Sequence, residues 1–372
     1  MTLFSSDIYS IYFDSQGKPR RGEWILSLNV TEEPSVVLSN YLKLGTIFTR
    51  REESLLFITS KEGDGYIPIL TFHKLGQNNN FELRPNLFEE LLIFLKANEF
   101  YVISDYQYLT ENFTFADNGK KLIVLGSDDA STGTFSYQTA GDRKTGPLLM
   151  DKGDYLISKD SMVYYLDQHL PKEQGIGNFT FYVTFDAIPF RQTGGGFNPG
   201  HPYKSMFTVL SKLQYLESNY LIGNHTANHL YTENLSETDF VKELIDYYNI
   251  MESYGINTDN IKTLAYSFGI GEITPEREHT VQSFRYRGSA LAGAFDYNGY
   301  FTRPLSSQSV NPFDVSRIGV DNSSYDKIMT MLENTDIFRN RRVVIFESDE
   351  YLFDLSSLIL NRNDFNYILI RK

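Results

Sequence analysis

The chain has 372 residues, a formal net charge of −13, 41% hydrophobic and 22% charged residues, and no cysteine. That length supplies core for one large or two smaller domains, and the acidic balance without a long basic run argues against a nucleic-acid partner. The missing cysteine removes disulfides, thiolate metal sites and cysteine nucleophiles. No apolar stretch is long enough to span a bilayer, and Met1–Gln16 lacks the basic and apolar regions of a signal peptide. The aromatics (26 Tyr, 28 Phe, 1 Trp) suit a bulky core first and a carbohydrate-contacting cleft second.

Residues 1–62 read as a small β-rich N-terminal region. The runs Ile8–Phe13, Glu23–Leu28, Thr46–Thr49 and Leu55–Thr59 are β-like, and a turn cluster separates the first two. Strands and helices then alternate over 63–372. Ile67–Thr71 is expected as a strand, and Leu87, Phe88, Leu91, Leu92 and Leu95 mark one face of a helix. Leu122–Leu125 is a continuous apolar run, as in a strand buried on both sides. The stretch 133–177 is poor in signals and reads as an insertion. Strands follow at Phe179–Phe185 and Tyr220–Gly223, with a helix between them carrying Met206, Val209, Leu210, Leu213 and Leu216. Ser236-Glu237-Thr238-Asp239 caps the next helix and Gly255 ends it. Further strands are expected at Thr263–Tyr266, Val343–Phe346 and Tyr367–Ile370. This alternation predicts a parallel sheet or barrel with helices outside.

In such architectures the chemistry lies at the carboxyl ends of the strands. The residues there are His73, Asp128 and Asp129, His225, Ser267-Phe268-Gly269 and Glu347-Ser348-Asp349. His225 and His229 are two of six histidines and stand four apart, so one turn of helix-like backbone would turn both toward one cation. With one of the two aspartates they meet the three-ligand count of a catalytic divalent ion, which lowers the pKa of its water. The other carboxylate would serve as general base. Each feature alone has a plainer reading: an Asp-Asp pair as a solvated turn, a His pair as structural.

Together these residues resemble the polysaccharide deacetylases of the NodB-homology type, carbohydrate esterase family four, over roughly residues 66–370. Ile67–His73 resembles the family's opening strand, Gly126–Ala130 its Thr-Phe-Asp-Asp-Gly motif, and His225–His229 its His-(Ser/Thr)-x-x-His motif. Phe179–Val183 resembles the family's Ala-Thr-Phe-Phe-Val strand, and Leu264–Gly269 stands at its third motif. The resemblance implies a distorted (β/α)7-type barrel with Asp129, His225 and His229 holding a divalent metal: zinc first, cobalt or nickel as alternatives. It implies Asp128 as the base activating the metal-held water, and the backbone N–H of Phe268 as oxyanion donor. The partner would be an N-acetylated glycan, and the compartment extracytoplasmic.

The chain also departs from the pattern. Gly126-Ser127 replaces Thr-Phe, and Ala130 replaces the glycine. The base-tuning arginine is absent from its place, where Ala265 stands, and the motif proline is Ser267. The late Leu-x-His, source of the general acid, has no counterpart. Asp349 and His73 are the candidates for that role, with His201 and His279 behind them. The leading expectation is a divalent-metal amidohydrolase that deacetylates an amino-sugar poly- or oligosaccharide. The competing readings are a metal-retaining, weakly active or inactive glycan-binding relative, and a surface protein that uses the scaffold.

Overall fold

The computed structural model describes residues 67–110, 121–138, 156–169, 175–186, 202–299 and 310–333, apart from 79 and 99. Backbone alone is described for 176, 202–208 and six short strands outside those ranges. The barrel strands are β1 (Ile69–Phe72), β2 (Phe100–Ile103), β3 (Lys121–Ser127), β4 (Thr180–Val183) and β5 (Leu221–Asn224). After them come β6 (Thr263–Ala265), β7 (Gly293–Asp296), β8 (Val315–Ser316) and β9 (Ile318–Gly319). They pair in parallel in the order β8-β7-β6-β5-β4-β3-β1-β9, and β2 pairs with the first half of β3.

Because β8 and β9 are separated by Arg317 alone, the segment Val315–Gly319 pairs with β7 at one end and with β1 at the other. It thereby closes the sheet into a distorted barrel of seven strand positions, as expected.

The period-2 alternation of the strands divides the core into two layers. Ile69, Leu122, Val124, Tyr182, Ala265, Phe295 and Val315 fill the barrel interior. Leu70, Phe72, Ile123, Leu125, Phe181, Val183, Leu264 and Ala294 face the helices. The interior is tight at Gly126, where a Cβ would stand 3.0 Å from the Thr180 carbonyl oxygen. Helix Pro85–Ala97 buries Phe88, Leu91, Leu92 and Leu95, the face expected from the sequence. Ser236 caps helix Glu237–Ser253 by accepting from the Asp239 N–H at 3.2 Å, and Gly255 follows its end at φ 75°. Part of the stretch expected as an insertion belongs to the core: helix Met162–His169 buries Met162, Val163 and Leu166.

One expectation is corrected. Val343–Phe346 is a strand but not a barrel strand; it pairs antiparallel with Leu55–Thr59, which also pairs with Ile47–Glu52. An apolar run specifies a strand without specifying its partner. The closing strand is instead Val315–Gly319, whose apolar run is interrupted by an arginine. The segment expected as a strand at Tyr367–Ile370 lies outside the described residues.

Candidate metal centre and catalytic residues

Strand β3 carries the two aspartates over the end of the barrel. Alternation from Val124 and Gly126 turns Asp128 inward, where it is 3% exposed, and Asp129 follows at φ 71° in the turn. Strand β5 ends at Asn224 and delivers His225, whose N–H donates to the Val183 carbonyl at 3.1 Å. The backbone from His225 to His229 is an irregular loop rather than a helical turn, with Thr226 at φ 59° and His229 at φ 49°.

The residues between the histidines hold that loop. Thr226 N–H donates to Asn224 Oδ1 at 2.8 Å, and the Asn228 backbone and side-chain N–H groups donate to Glu243 at 2.7 and 2.8 Å. Ser267, in the place of the motif proline, donates to the His225 carbonyl at 2.9 Å and shares a hydrogen bond with Thr226 Oγ1 at 2.9 Å.

His225 Nδ1 lies 2.8 Å from the Ala265 carbonyl oxygen. A carbonyl only accepts, so Nδ1 carries a proton and Nε2 faces the site. Asp129 Oδ1 is 3.3 Å from His225 Nε2 and 3.0 Å from His229 Nε2, and the three ligand atoms lie within 4.8 Å of one another. A tetrahedral ion with bonds of about 2.0–2.1 Å requires ligand atoms roughly 3.3–3.4 Å apart. The spacing of Asp129 to both imidazoles is close to that edge length, so the donor set fits a divalent ion. The electrostatics agree. Burial opposes a charged His225, yet Asp128 and Asp129 outweigh it and raise its pKa. Burial likewise opposes a charged Asp129, but hydrogen bonds from His225 and His229 hold its carboxyl far below the usual range. The site calls for positive charge between these atoms.

Ala265 stands at the third-motif position, as read from the sequence, but an arginine from another strand reaches Asp128. Arg317, 2% exposed, grips Asp128 with two parallel bonds, Nη1 to Oδ1 at 2.7 Å and Nη2 to Oδ2 at 2.8 Å. It also donates to Thr71 Oγ1 at 3.2 Å and lies over the Tyr182 ring. Burial raises the Asp128 pKa, but Arg317 first and His225 second bring it below the ordinary value. Asp128 is therefore ionised at neutral pH, with lone pairs beyond those Arg317 occupies.

His73 follows β1 at the same end. Burial lowers its pKa, and the charges that act on it are those of Asp128, Asp129, Arg317 and His225. Its ring meets Phe81 edge-on at 4.9 Å and Tyr297 at 5.7 Å. Phe268 occupies the third position of a turn closed by Gly269 N–H to the Tyr266 carbonyl at 3.1 Å, and is held at φ 62°. Among the described residues its own N–H meets no protein acceptor. His279 is exposed on helix Pro275–Ser283, whereas Asp349 and His201 lie outside the described residues. Arg317, Phe81 and Tyr297 are the site residues that sequence reading missed. The one signal for them was a charged residue inside the apolar run Val315–Val320.

Seven strand positions, closed by Val315–Gly319, carry the aspartates and histidines on their carboxyl ends. The chain has a distorted parallel (β/α) barrel fold. No family model and no curated protein matches its sequence. Among solved structures it is similar to the deacetylase PplD of Streptococcus pyogenes, at 16% identity over 72% of this chain and 98% of that one, with a TM-score of 0.46. It is similar to IcaB of Ammonifex degensii at 15% identity, over 72% of this chain and 97% of the other, with a TM-score of 0.46. It is also similar to BC0361, a polysaccharide deacetylase of Bacillus cereus, at 11% identity over 86% and 84%, with a TM-score of 0.48.

Proposed function

We propose that the chain is a divalent-metal-dependent hydrolase that removes N-acetyl groups from an amino-sugar polysaccharide or oligosaccharide outside the cytoplasm. The observation that carries this reading is the Asp129–His225–His229 cluster at ligand spacing with the Arg317-gripped Asp128 beside it. The one-carboxylate, two-imidazole donor set suits zinc, with cobalt or nickel as alternatives. When bound, such an ion supplies Lewis acidity, polarising a carbonyl oxygen and acidifying water.

The chain's own residues do the rest. Asp128 accepts the proton of the water that adds to the acetamide carbonyl carbon. The Phe268 N–H donates to the carbonyl oxygen as negative charge develops on it. His73 delivers a proton to the leaving nitrogen as the C–N bond breaks, giving acetate and a free amine. Burial keeps the His73 imidazole neutral at rest, so the proton it delivers is the one Asp128 takes from the water, passed to His73 before the C–N bond breaks; both groups end the cycle as they began.

The test measures bound metal and acetate release from N-acetylglucosamine oligomers. Wild type is expected to hold one ion and release acetate. Asp128→Asn should keep the ion and lose about 10²–10⁴-fold in rate, the range of a general base. His225→Ala should lose the ion. His73→Gln should keep it and slow release by at least about 10²-fold. A wild type with a full complement of metal that releases no acetate from any glycan would favour the glycan-binding reading, for which the missing Leu-x-His speaks. A wild type without metal at this site sinks both.

A further inference from the structure

A cavity of about 450 Å³ opens at the end of the barrel away from the Asp129–His225–His229 cluster. Leu221 and Thr263, the first residues of β5 and β6, border it, and so does Asn178, which precedes β4. Ser104 and Gln107 border it from the segment after β2, a strand that pairs only with Lys121–Val124 and so stops short of Asp128. None of the residues proposed to act on the substrate lines it. Its volume falls within the range of small-molecule sites, roughly 300–1,000 Å³.

The floor is apolar: Tyr220, Ile222, Ile256 and Ile261 are all buried. The rim is polar, and each rim side chain is anchored by one group and left open at another. At the start of helix Asp105–Thr110 a capping box holds Gln107. The Ser104 N–H donates to Gln107 Oε1 at 2.9 Å, which leaves the Gln107 amide N–H groups unmatched. Asn178 Nδ2 donates to the Val102 carbonyl at 2.9 Å and leaves Oδ1. Glu217 Oε1 accepts from the Asn257 N–H at 2.6 Å and leaves Oε2, while Asn257 Oδ1 accepts from the Asp259 N–H at 3.1 Å and leaves Nδ2. Lys262 Nζ donates to Ser289 Oγ at 2.6 Å and keeps its other N–H groups. Among the described residues these remaining donors and acceptors meet no protein partner.

That mixture decides the class of ligand. An anion calls for donors alone and a cation for acceptors alone, and Glu217 and Lys262 each work against one of them. Donors and acceptors interspersed around an apolar floor match hydroxyl groups, which both donate and accept, carried on a ring with an apolar C–H face. The Tyr106 ring, 40% exposed at the border, is placed to meet such a face. The anchoring bonds already fix the rim side chains, so binding costs them little further rotamer freedom. We infer that this cavity is a second carbohydrate site, at the opposite end of the barrel from the Asp129–His225–His229 cluster, which holds one or two rings of an uncharged saccharide without reacting with it. The site stands on its own residues and does not depend on the deacetylase reading.

The test is ligand-observed NMR and calorimetry on the full chain, with cellobiose and di-N-acetylchitobiose as saccharides, leucine as a zwitterion and inorganic phosphate as an anion. Both disaccharides should bind, and leucine and phosphate should not. Cellobiose binding should be the same after divalent metal is removed with a chelator, and the same in His225→Ala. Lys262→Met should weaken it about tenfold, the scale of losing one hydrogen bond to a charged group. Asn260→Trp, which fills the cavity from an exposed position on its border, should abolish it. Both cavity variants should keep the urea midpoint of wild type. The inference is overturned if neither disaccharide binds, if leucine or phosphate binds in their place, or if Lys262→Met and Asn260→Trp both bind cellobiose as wild type does.

Discussion

Asp128 and Asp105 are buried in one barrel, at opposite ends, at 3% and 2% exposure, yet the protein handles them in opposite ways. Asp128 receives a guanidinium. Asp105 receives only neutral donors: Tyr182 Oη at 2.6 Å, Thr263 Oγ1 at 2.5 Å and the Tyr106 N–H at 2.7 Å. Burial therefore prevails at Asp105 and raises its pKa, whereas Arg317 prevails at Asp128 and lowers it. Desolvation is shared, so the partner decides the charge. The carboxylate proposed to take up a proton is kept ionised, while one that ties strands together is left to become neutral. The cavity of about 450 Å³ beside Asp105, bordered also by Glu217 and Lys262, thus belongs to the structural end. The Asp129–His225–His229 cluster sits at the other.

The largest effect should come from breaking the ionic partner. Arg317→Met leaves Asp128 as a buried charge without its fork of donors, and losing one member of a buried pair costs about 3–5 kcal/mol. Urea unfolding should show a loss of that size, together with loss of acetate release even where the protein still folds. Arg317→Lys should recover part of the stability, since a point charge replaces the fork without its two parallel bonds. A wild-type urea midpoint in Arg317→Met would mean that the pair contributes nothing to the fold.

A smaller effect, opposite in its pH dependence, is expected at the other end. The Asp105 pKa is raised above its ordinary 3.8. Its contribution to stability is thus fully present below about pH 3.8 and is lost as pH rises through the folded value. Asp105→Asn cannot ionise and keeps an acceptor and a donor for the same partners. Relative to wild type it should be within about 1 kcal/mol near pH 4 and gain steadily on it toward pH 8. Urea unfolding at the two pH values measures the difference. A gain toward low pH would show that Asp105 is held ionised.

Much of the working end was legible because it is local. The His225–His229 spacing, the Asp128-Asp129 pair and the apolar runs feeding them all lie within a few residues. The unread part depends on long range or on backbone conformation. Arg317 is 189 residues from Asp128, and it interrupts the segment Val315–Gly319, whose pairing is split between two strands. Periodicity does not reveal such a partner. Nor does it reveal the loop at His225–His229, where Thr226 and His229 adopt left-handed backbone without a glycine to announce it. Val343–Phe346 shows the converse: a correct strand whose sheet its own residues do not specify.

Strain also separates the two ends. Of the seven described non-glycine residues with positive φ, five are Asp129, Ala130, Thr226, His229 and Phe268, and Phe81 beside His73 is a sixth. The weakest predicted effect tests whether that strain costs what it should. An L-residue in this conformation costs about 1–2 kcal/mol. Ala130→Gly removes that cost, but it forfeits about 0.8 kcal/mol for a methyl buried at 4% exposure. It also frees the unfolded chain by about 0.4–1 kcal/mol. These contributions nearly cancel, so Ala130→Gly should lie within about 0.8 kcal/mol of wild type. Ala294→Gly, on β7 at 0% exposure and ordinary φ, has the same losses with no strain to relieve. It should cost about 1–2 kcal/mol by the same sums. Equal costs for the two substitutions would show that the backbone beside Asp129 stores no strain. The expected gap would show that the turn presenting Asp129 is held by its surroundings against its own preference.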